Sequence, residues 1–318
     1  FATASRMAEW LVERPEPLVL NHHSLTPPEA FAPWNAAIAR GQAAAQRELA
    51  VLASRADLGV AVSRFDAGEL ERAGCRRVAV VPVAGTTAPA EPDPATSSRL
   101  RRHRPAGSAW LSVGRLAPNK GHERAIAALL AAHRTSDPEA RLTVIGAPSE
   151  PHYAAALRSF AGRLGLGGAV SFVTGLREEE LASYYRESDV LVMLSEHEGF
   201  GVPLVEAMAQ GLPVVAYRAG AVAETAGDAA LLLDGRGPRR VADAVAGLLS
   251  DDQARDRLVA HGHRRVAELG LDGAASRFVD LVVTLGARSG AGAAPDEHDH
   301  GGAPEADAAA PSSRQKPW

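Results

Sequence analysis

Three loops carry side chains whose types and spacing suit the binding of a charged, hydroxyl-rich ligand. Ser112-Val-Gly-Arg-Leu-Ala-Pro-Asn-Lys-Gly121 puts two cations, Arg115 and Lys120, between an apolar run and a helical one. Gly114 allows the tight turn that such a loop needs. Two fixed cations near a helix start can grip a diphosphate without a metal. The alternative is a pair of solvated surface charges. The Gly-x4-Gly-Lys-Ser/Thr spacing of a Walker loop is absent.

The second loop opens the stretch SEHEGFGVPLVEAMAQG, Ser195 to Gly211. Gly199 and Gly201 permit close approach of a ligand to the backbone. Pro203 suits a first helical turn and Gly211 a C-terminal stop. The unpaired amides of Phe200, Gly201 and Val202 would then open a helix, a ready site for an anion. Glu198 and Glu206 flank those amides. With Glu206 expected in the first helical turn, the helix dipole keeps it ionised. An ionised carboxylate accepts hydrogen bonds from ribose or hexose hydroxyls. The alternatives are dipole stabilisation alone for Glu206 and an exposed loop charge for Glu198.

The third loop, Asn21-His-His-Ser-Leu-Thr-Pro-Pro-Glu29, follows the apolar run PLVL. A histidine at a strand end, His23 or its neighbour His22, can orient a sugar hydroxyl or move a proton. A hydrogen-bonded structural histidine is the alternative. Thr174-Gly-Leu-Arg177 also follows an apolar run, and Gly175 to Arg177 could wall a base pocket through backbone groups. His261 and His263 fall in a helical stretch and read as surface residues. His298 and His300, in DEHDHGG, could hold a metal but read as part of a solvated tail.

The elements that must position these loops alternate along the chain. Candidate strands are 18–21, 58–62, 77–83, 109–113, 141–145, 169–173, 189–194, 213–217 and 230–233. Most are continuous apolar runs, the pattern of parallel strands covered on both faces. Helical stretches between them imply right-handed βαβ units. In such doubly wound folds ligands bind at the carboxyl ends of strands, where the three loops lie. Residues 84–107, with Pro89, Pro92, Pro94 and Pro105, read as a linker. Three candidate strands precede it and six follow. The expected organisation is a partial Rossmann-like domain over 1–84, a linker over 85–107 and a complete Rossmann-like domain over 108–270. A terminal helix over 271–286 and a disordered tail over 287–318 complete it. The chain opens at Phe1 on ATASRMAEWLVERPE, which reads as an amphipathic helix already inside a fold. Together with the half-complete first sheet, this predicts missing upstream residues.

Composition narrows the function. Lys plus Arg number 34 against 38 Asp plus Glu, a net charge of −4, which argues against a nucleic-acid binder driven by bulk positive charge. One cysteine, Cys75, excludes a disulfide framework and a multi-cysteine zinc site, and a reducing cytoplasm is the simplest reading. No apolar run approaches the ~20 residues of a membrane helix.

The stretch EGFGVPLVE, Glu198 to Glu206, resembles the E-x7-E motif of retaining GT-B glycosyltransferases, specifically glycosyltransferase family 4. GRLAPNKG resembles that family's diphosphate loop. FVTGLREEELASYYRESDVLVMLS and EAMAQGLPVVAYRAGAVAE are similar to its segments in the same order. The likeness covers about residues 108–270. NHHSLTPPEAF and LGVAVSRFDAGELERAGCRRVAVVPV resemble the later part of the family's acceptor-side domain, whose opening strand and Gly-rich loop have no counterpart here.

The resemblance implies a GT-B α/β fold and transfer of a sugar from a UDP- or GDP-sugar to an acceptor hydroxyl with retention of configuration. With two fixed cations at the diphosphate, no divalent metal is expected to be needed, and no cofactor is expected. Arg115 and Lys120 match the pair that neutralises the diphosphate, and Glu198 the glutamate that contacts the transferred sugar. Gly199 belongs to the same motif. The amides of Phe200, Gly201 and Val202 match those near sugar and phosphate. Glu206 matches the ribose glutamate, Gly175 to Arg177 the segment beside the base, and His23 the strand-end histidine near the donor sugar. The implied partners are a nucleotide-sugar donor and an unnamed acceptor: a saccharide, a lipid-linked molecule or a small molecule. The implied location is the cytoplasm, with room for peripheral contact at the inner membrane face. A nucleotide-sugar-binding fragment without transfer is the alternative, ahead of a glycoside hydrolase. A hydrolase using Glu198 and Glu206 would need one raised carboxyl pKa and no diphosphate clamp.

Overall fold

Every candidate strand of the sequence forms, because Val, Leu, Ile and Ala runs with no outward polar partner are stable only when covered on both faces. A computed structural model describes residues 3–5, 7–83 and 89–290. The first half contains α1 (Met7–Val12), β1 (Val19–His22), α2 (Pro28–Phe31), α3 (Ala36–Arg55), β2 (Leu58–Ala61), α4 (Arg64–Arg72) and β3 (Val78–Val80). These three strands form a parallel sheet in the order β1-β2-β3, with Val19 beside Leu58 and Gly59 beside Val78. The opening helix is shorter than expected, closing at Val12 ahead of Pro15.

The stretch expected to be a linker contains a helix, α5 (Pro94–Arg102). Asp93 caps it by accepting from the Thr96 amide at 2.7 Å, and Pro94 takes the first helical position, where its missing N–H costs nothing. The prolines that suggested a linker therefore start a helix at one point. Residues 84–88 of that stretch lie outside the described residues.

The second half runs β4 (Ala109–Val113), α6 (His122–Thr135), β5 (Arg141–Ile145), α7 (Pro151–Arg163), β6 (Val170–Val173), α8 (Glu178–Glu187), β7 (Val190–Met193), α9 (Val202–Ala209), β8 (Val214–Tyr217), α10 (Val222–Ala226) and β9 (Leu231–Leu233). Helices α11 (Pro238–Ser250), α12 (Asp252–Leu269) and α13 (Ala274–Gly290) follow. Its six parallel strands lie in the order β6-β5-β4-β7-β8-β9. Strand order reverses between β4 and β7, the switch point at which doubly wound sheets bind ligands. One apolar cluster, around Trp110, Leu142 and Val192, fills one face of this sheet, and another, around Leu111, Leu191 and Leu204, fills the opposite face.

Helix α13 packs on the first sheet: Ala274 and Leu285 are buried with Leu58, Val60 and Val81. It extends to Gly290, so residues 287–290, expected in the tail, are helical. The rest of that tail, with His298 and His300, lies outside the described residues. Among the described residues no helix is long and apolar enough to cross a membrane.

Candidate functional site

The switch point brings together the loops leaving β4 and β7. The first contains a 3-10 turn over Pro118–Lys120 and ends at Gly121, which starts α6 with φ +67°. A Cβ there would lie 2.3 Å from the Leu194 carbonyl oxygen, so only glycine lets the two loops nest. The Glu196 amide donates to the Asn119 carbonyl at 2.8 Å, and the Ala221 amide to the Glu198 carbonyl at 2.8 Å. Three strand-end loops are thereby tied into one wall.

On that wall Lys120 Nζ donates to Glu198 Oε1 at 2.7 Å, with the lysine side chain 15% exposed and the glutamate 8%. Arg115, Lys120, Asn119, Glu198 and Gly199 line a cavity of about 500 Å³, and His23, Ser24 and Thr26 close it from the first half. Among the described residues the Arg115 guanidinium has no hydrogen-bond or ion-pair partner. The sequence-derived pair of cations, the first glutamate and the strand-end histidine thus converge on one cleft. His22 does not reach it. The alternation along β1 turns His22 inward, fully buried, with Nε2 2.9 Å from Glu69 Oε2, while His23 lies just beyond the strand.

Val202 opens α9, and among the described residues no acceptor takes the amides of Phe200, Gly201 or Val202. Phe200 and Val202 line a second cavity on the other side of this helix start, of about 170 Å³, together with Arg177, Glu206, Tyr185 and Gln210. Gly201 is the N-cap of α9, and neither it nor Gly175 lines either cavity. The Arg177 guanidinium faces Glu180 at 3.3 Å and Glu179 at 3.7 Å. Glu206 is not in the first turn of α9, as the sequence led us to expect, but one residue beyond it. The expectation counted from Pro203, whereas the helix starts at Val202. Tyr185, fully buried, orients it instead by donating its hydroxyl to Glu206 Oε2 at 2.7 Å. Burial and the adjacent Glu206 carboxylate hold the Tyr185 hydroxyl well above its ordinary pKa, so it stays a donor.

Several residues of the site carry no sequence signal by themselves. His122, fully buried in the first turn of α6, lies 3.1 Å from the Arg115 carbonyl through Nε2 and 3.0 Å from Ser112 Oγ through Nδ1. A carbonyl only accepts, so Nε2 carries the hydrogen and Nδ1 accepts from the serine. Burial pulls its pKa down to about 4, which keeps the ring neutral and fixes the diphosphate loop. Thr225 Oγ1 donates to the Phe200 carbonyl at 2.6 Å and steadies the glycine loop.

The two halves meet behind that loop. Ser24, in the left-handed region at φ +64°, shares a hydrogen bond of 2.7 Å with His197 Nε2. The His197 ring meets Phe65 edge-on at 5.7 Å, and burial lowers its pKa. A Cβ on Gly199 would lie 2.5 Å from Ser24 Cβ and 2.8 Å from Asp66 Oδ2. Glu224 of α10 crosses the seam to accept from the amides of Arg64 and Phe65 at 2.8 and 3.2 Å, capping α4.

Residues 105–265, just over half of the chain, match the family model for glycosyl transferases group 1. Among curated proteins, the D-inositol 3-phosphate glycosyltransferase of Corynebacterium urealyticum is 38% identical over 180 residues, 54% of this chain and 42% of that protein. The GDP-mannose-dependent alpha-(1-6)-phosphatidylinositol monomannoside mannosyltransferase of Mycobacterium tuberculosis is 36% identical over 182 residues, 54% of this chain and 46% of that protein. The matched segment therefore spans less than half of either relative. Among solved structures, Anabaena HepE in complex with UDP and glucose aligns at TM-score 0.69 and 23% identity, covering 83% of this chain and 72% of that one. Sucrose-phosphate synthase from Thermosynechococcus elongatus aligns at TM-score 0.73 and 23% identity, covering 88% and 70%. At that identity the likeness is one of fold, and the fold is GT-B. The match across the whole second half, with the switch-point loops inside it, makes this chain a member of the group 1 glycosyl transferases.

Proposed function

We propose that the chain binds a nucleotide-diphosphate sugar and, as a family 4 enzyme, transfers the sugar to an acceptor hydroxyl with retention of anomeric configuration. The observation that carries this reading is the convergence of Arg115, Lys120, Glu198 and His23 on one cleft beside the start of α9. Breaking the anomeric bond leaves positive charge on the sugar and negative charge on the departing diphosphate. Arg115 and Lys120 are the groups in this cleft able to stabilise that anion, and the amides of Phe200, Gly201 and Val202 would have to reach it from the adjoining start of α9. Donors aimed at developing charge are worth about 3–4 kcal/mol each in other enzymes. Their charge stands in for a divalent ion at the phosphates. Glu198 would hold hydroxyls of the transferred sugar, His23 would meet the sugar from the first half, and Glu206 would hold the ribose. Backbone beside Arg177 would flank the base, UDP and GDP being the nucleotides implied. The acceptor would attack from the face that the leaving group vacates, with the leaving phosphate taking the acceptor proton.

Calorimetry with UDP-, GDP- and their sugar conjugates, run beside a transfer assay, tests the reading. Nucleotide-sugar binding with transfer that does not depend on added Mg2+ is the expected result. Binding with no transfer to any acceptor would favour the fragment reading. No nucleotide binding at all would overturn both.

A further inference from the structure

Behind the glycine loop, on the first-half side of the seam, lies a polar cluster that the reading above does not use. Asp66 and Glu69 stand three residues apart on α4, on one helix face. His22 reaches the same point from the end of β1. One ligand atom from each of the three lies within 4.8 Å of the others. His22 and Asp66 are both fully buried. Glu69 is 18% exposed and leaves a route to solvent.

The cluster is incomplete as a hydrogen-bonded unit. His22 Nε2 meets Glu69 at 2.9 Å, but neither carboxylate oxygen of Asp66 has a hydrogen-bond partner. The Ser24 hydroxyl, which lies beside Asp66, makes its 2.7 Å hydrogen bond to His197. A fully buried carboxyl group with both oxygens unpartnered is rare and costly, and it signals a missing ion or water. One neutral imidazole and two carboxylates carry two negative charges, the charge of one divalent cation. Nitrogen and oxygen donors in that ratio suit zinc and its first-row neighbours rather than Ca2+ or Mg2+, which take oxygen alone.

We propose that His22, Asp66 and Glu69 form a structural site for a divalent transition metal of the zinc class. The site is distinct from the diphosphate cleft and sits at the back of Gly199. The ion would complete Asp66 and pin the seam from the first-half side.

The test uses the full 318-residue protein, stripped with a chelator and exchanged into metal-free buffer. Titration with ZnCl2 should show one equivalent bound at the cluster, and thermal unfolding should shift upward with zinc and return with chelator. Asp66→Asn keeps the side-chain shape and removes the charge. It should weaken that binding by at least about a hundredfold, beyond the 10–100-fold typical of losing only a supporting group. Glu69→Gln, at the partly exposed rim, should do the same with the fold intact. A His298→Ala/His300→Ala variant should keep the equivalent, which separates the cluster from the tail. Zinc binding unchanged in Asp66→Asn and Glu69→Gln would overturn the proposal. So would a wild-type protein that takes up no zinc at concentrations of about 100 μM, the outcome expected if a proton alone neutralises Asp66.

Discussion

Replacing Lys120 by alanine strands Glu198, 8% exposed, in a cleft that must receive a diphosphate. The lysine is engaged before the ligand arrives, through its 2.7 Å contact with Glu198, so the diphosphate has to compete for it. Hydrogen bonds to charged groups are worth about 1.5–3 kcal/mol net. Lys120→Ala loses that contact with the ligand and leaves a bare carboxylate facing an anion. Nucleoside diphosphate affinity should therefore fall at least about tenfold, one decade per ~1.4 kcal/mol. Glu198→Gln acts in the opposite sense. It weakens the competitor for the lysine, so the diphosphate should bind more tightly, by about fivefold for each ~1 kcal/mol of competition removed. The Lys120→Ala/Glu198→Gln double variant should fall between Lys120→Ala and wild type. With the nucleotide sugar the gain of Glu198→Gln should vanish, because the glutamate is also the proposed partner of sugar hydroxyls. The assay is isothermal titration with UDP and GDP at fixed ionic strength, since added salt shrinks every one of these differences. Lys120→Ala affinity within twofold of wild type, about 0.4 kcal/mol, would refute the electrostatic reasoning.

Tyr185→Phe removes the hydroxyl that orients Glu206 and should weaken nucleoside diphosphate binding by about 1 kcal/mol, roughly fivefold. Inorganic diphosphate, which has no ribose, should bind Tyr185→Phe as it binds wild type, and an equal loss for both ligands would show another role. Gly199→Ala drives a methyl group into Ser24 and Asp66 and should destabilise the protein by about 1–3 kcal/mol. Adding Ser24→Gly should recover part of that loss in thermal unfolding, and no recovery would place the clash elsewhere. His122 has a folded pKa of about 4, below its unfolded value, so the unfolded chain takes up the proton first. Its contribution is intact at pH 7 and is lost as pH falls below about 6.5, at about 1.4 kcal/mol per pH unit, until near its folded pKa. Denaturant unfolding at pH 7, 6 and 5 should show a shallower decline in His122→Gln than in wild type.

Much of the fold can be read from the chain because parallel strands covered on both faces leave runs such as DVLVML, which no other element needs. The helix inside the expected linker was legible too, in Asp93-Pro94, but a count of prolines hides a cap. The two cations, the two glutamates and the glycine loop follow from strand-end positions. Their partners do not. His122 becomes part of the site only because it is buried against the Arg115 carbonyl. Tyr185 and Glu206 lie on different helices, and nothing local links them. Ser24 and Asp66 reach Gly199 from the other half of the chain, a proximity created by packing. Where Glu206 sits in its helix depended on the first helical residue, a boundary that pattern alone leaves open by a residue or two.

The carboxylate that finishes α4 is borrowed. Glu224, on a helix of the second half, takes the two amides at the start of a helix in the first. Prising the halves apart along this line would strip both amides of their acceptor and unseat Ser24 from His197 at the same time. Cleavage between the halves would thus yield two pieces with ragged, thirsty faces rather than two finished domains. Through Glu224, the start of α4 is held by a helix of the second half, so the tie between the halves is made by backbone amides as well as by side chains.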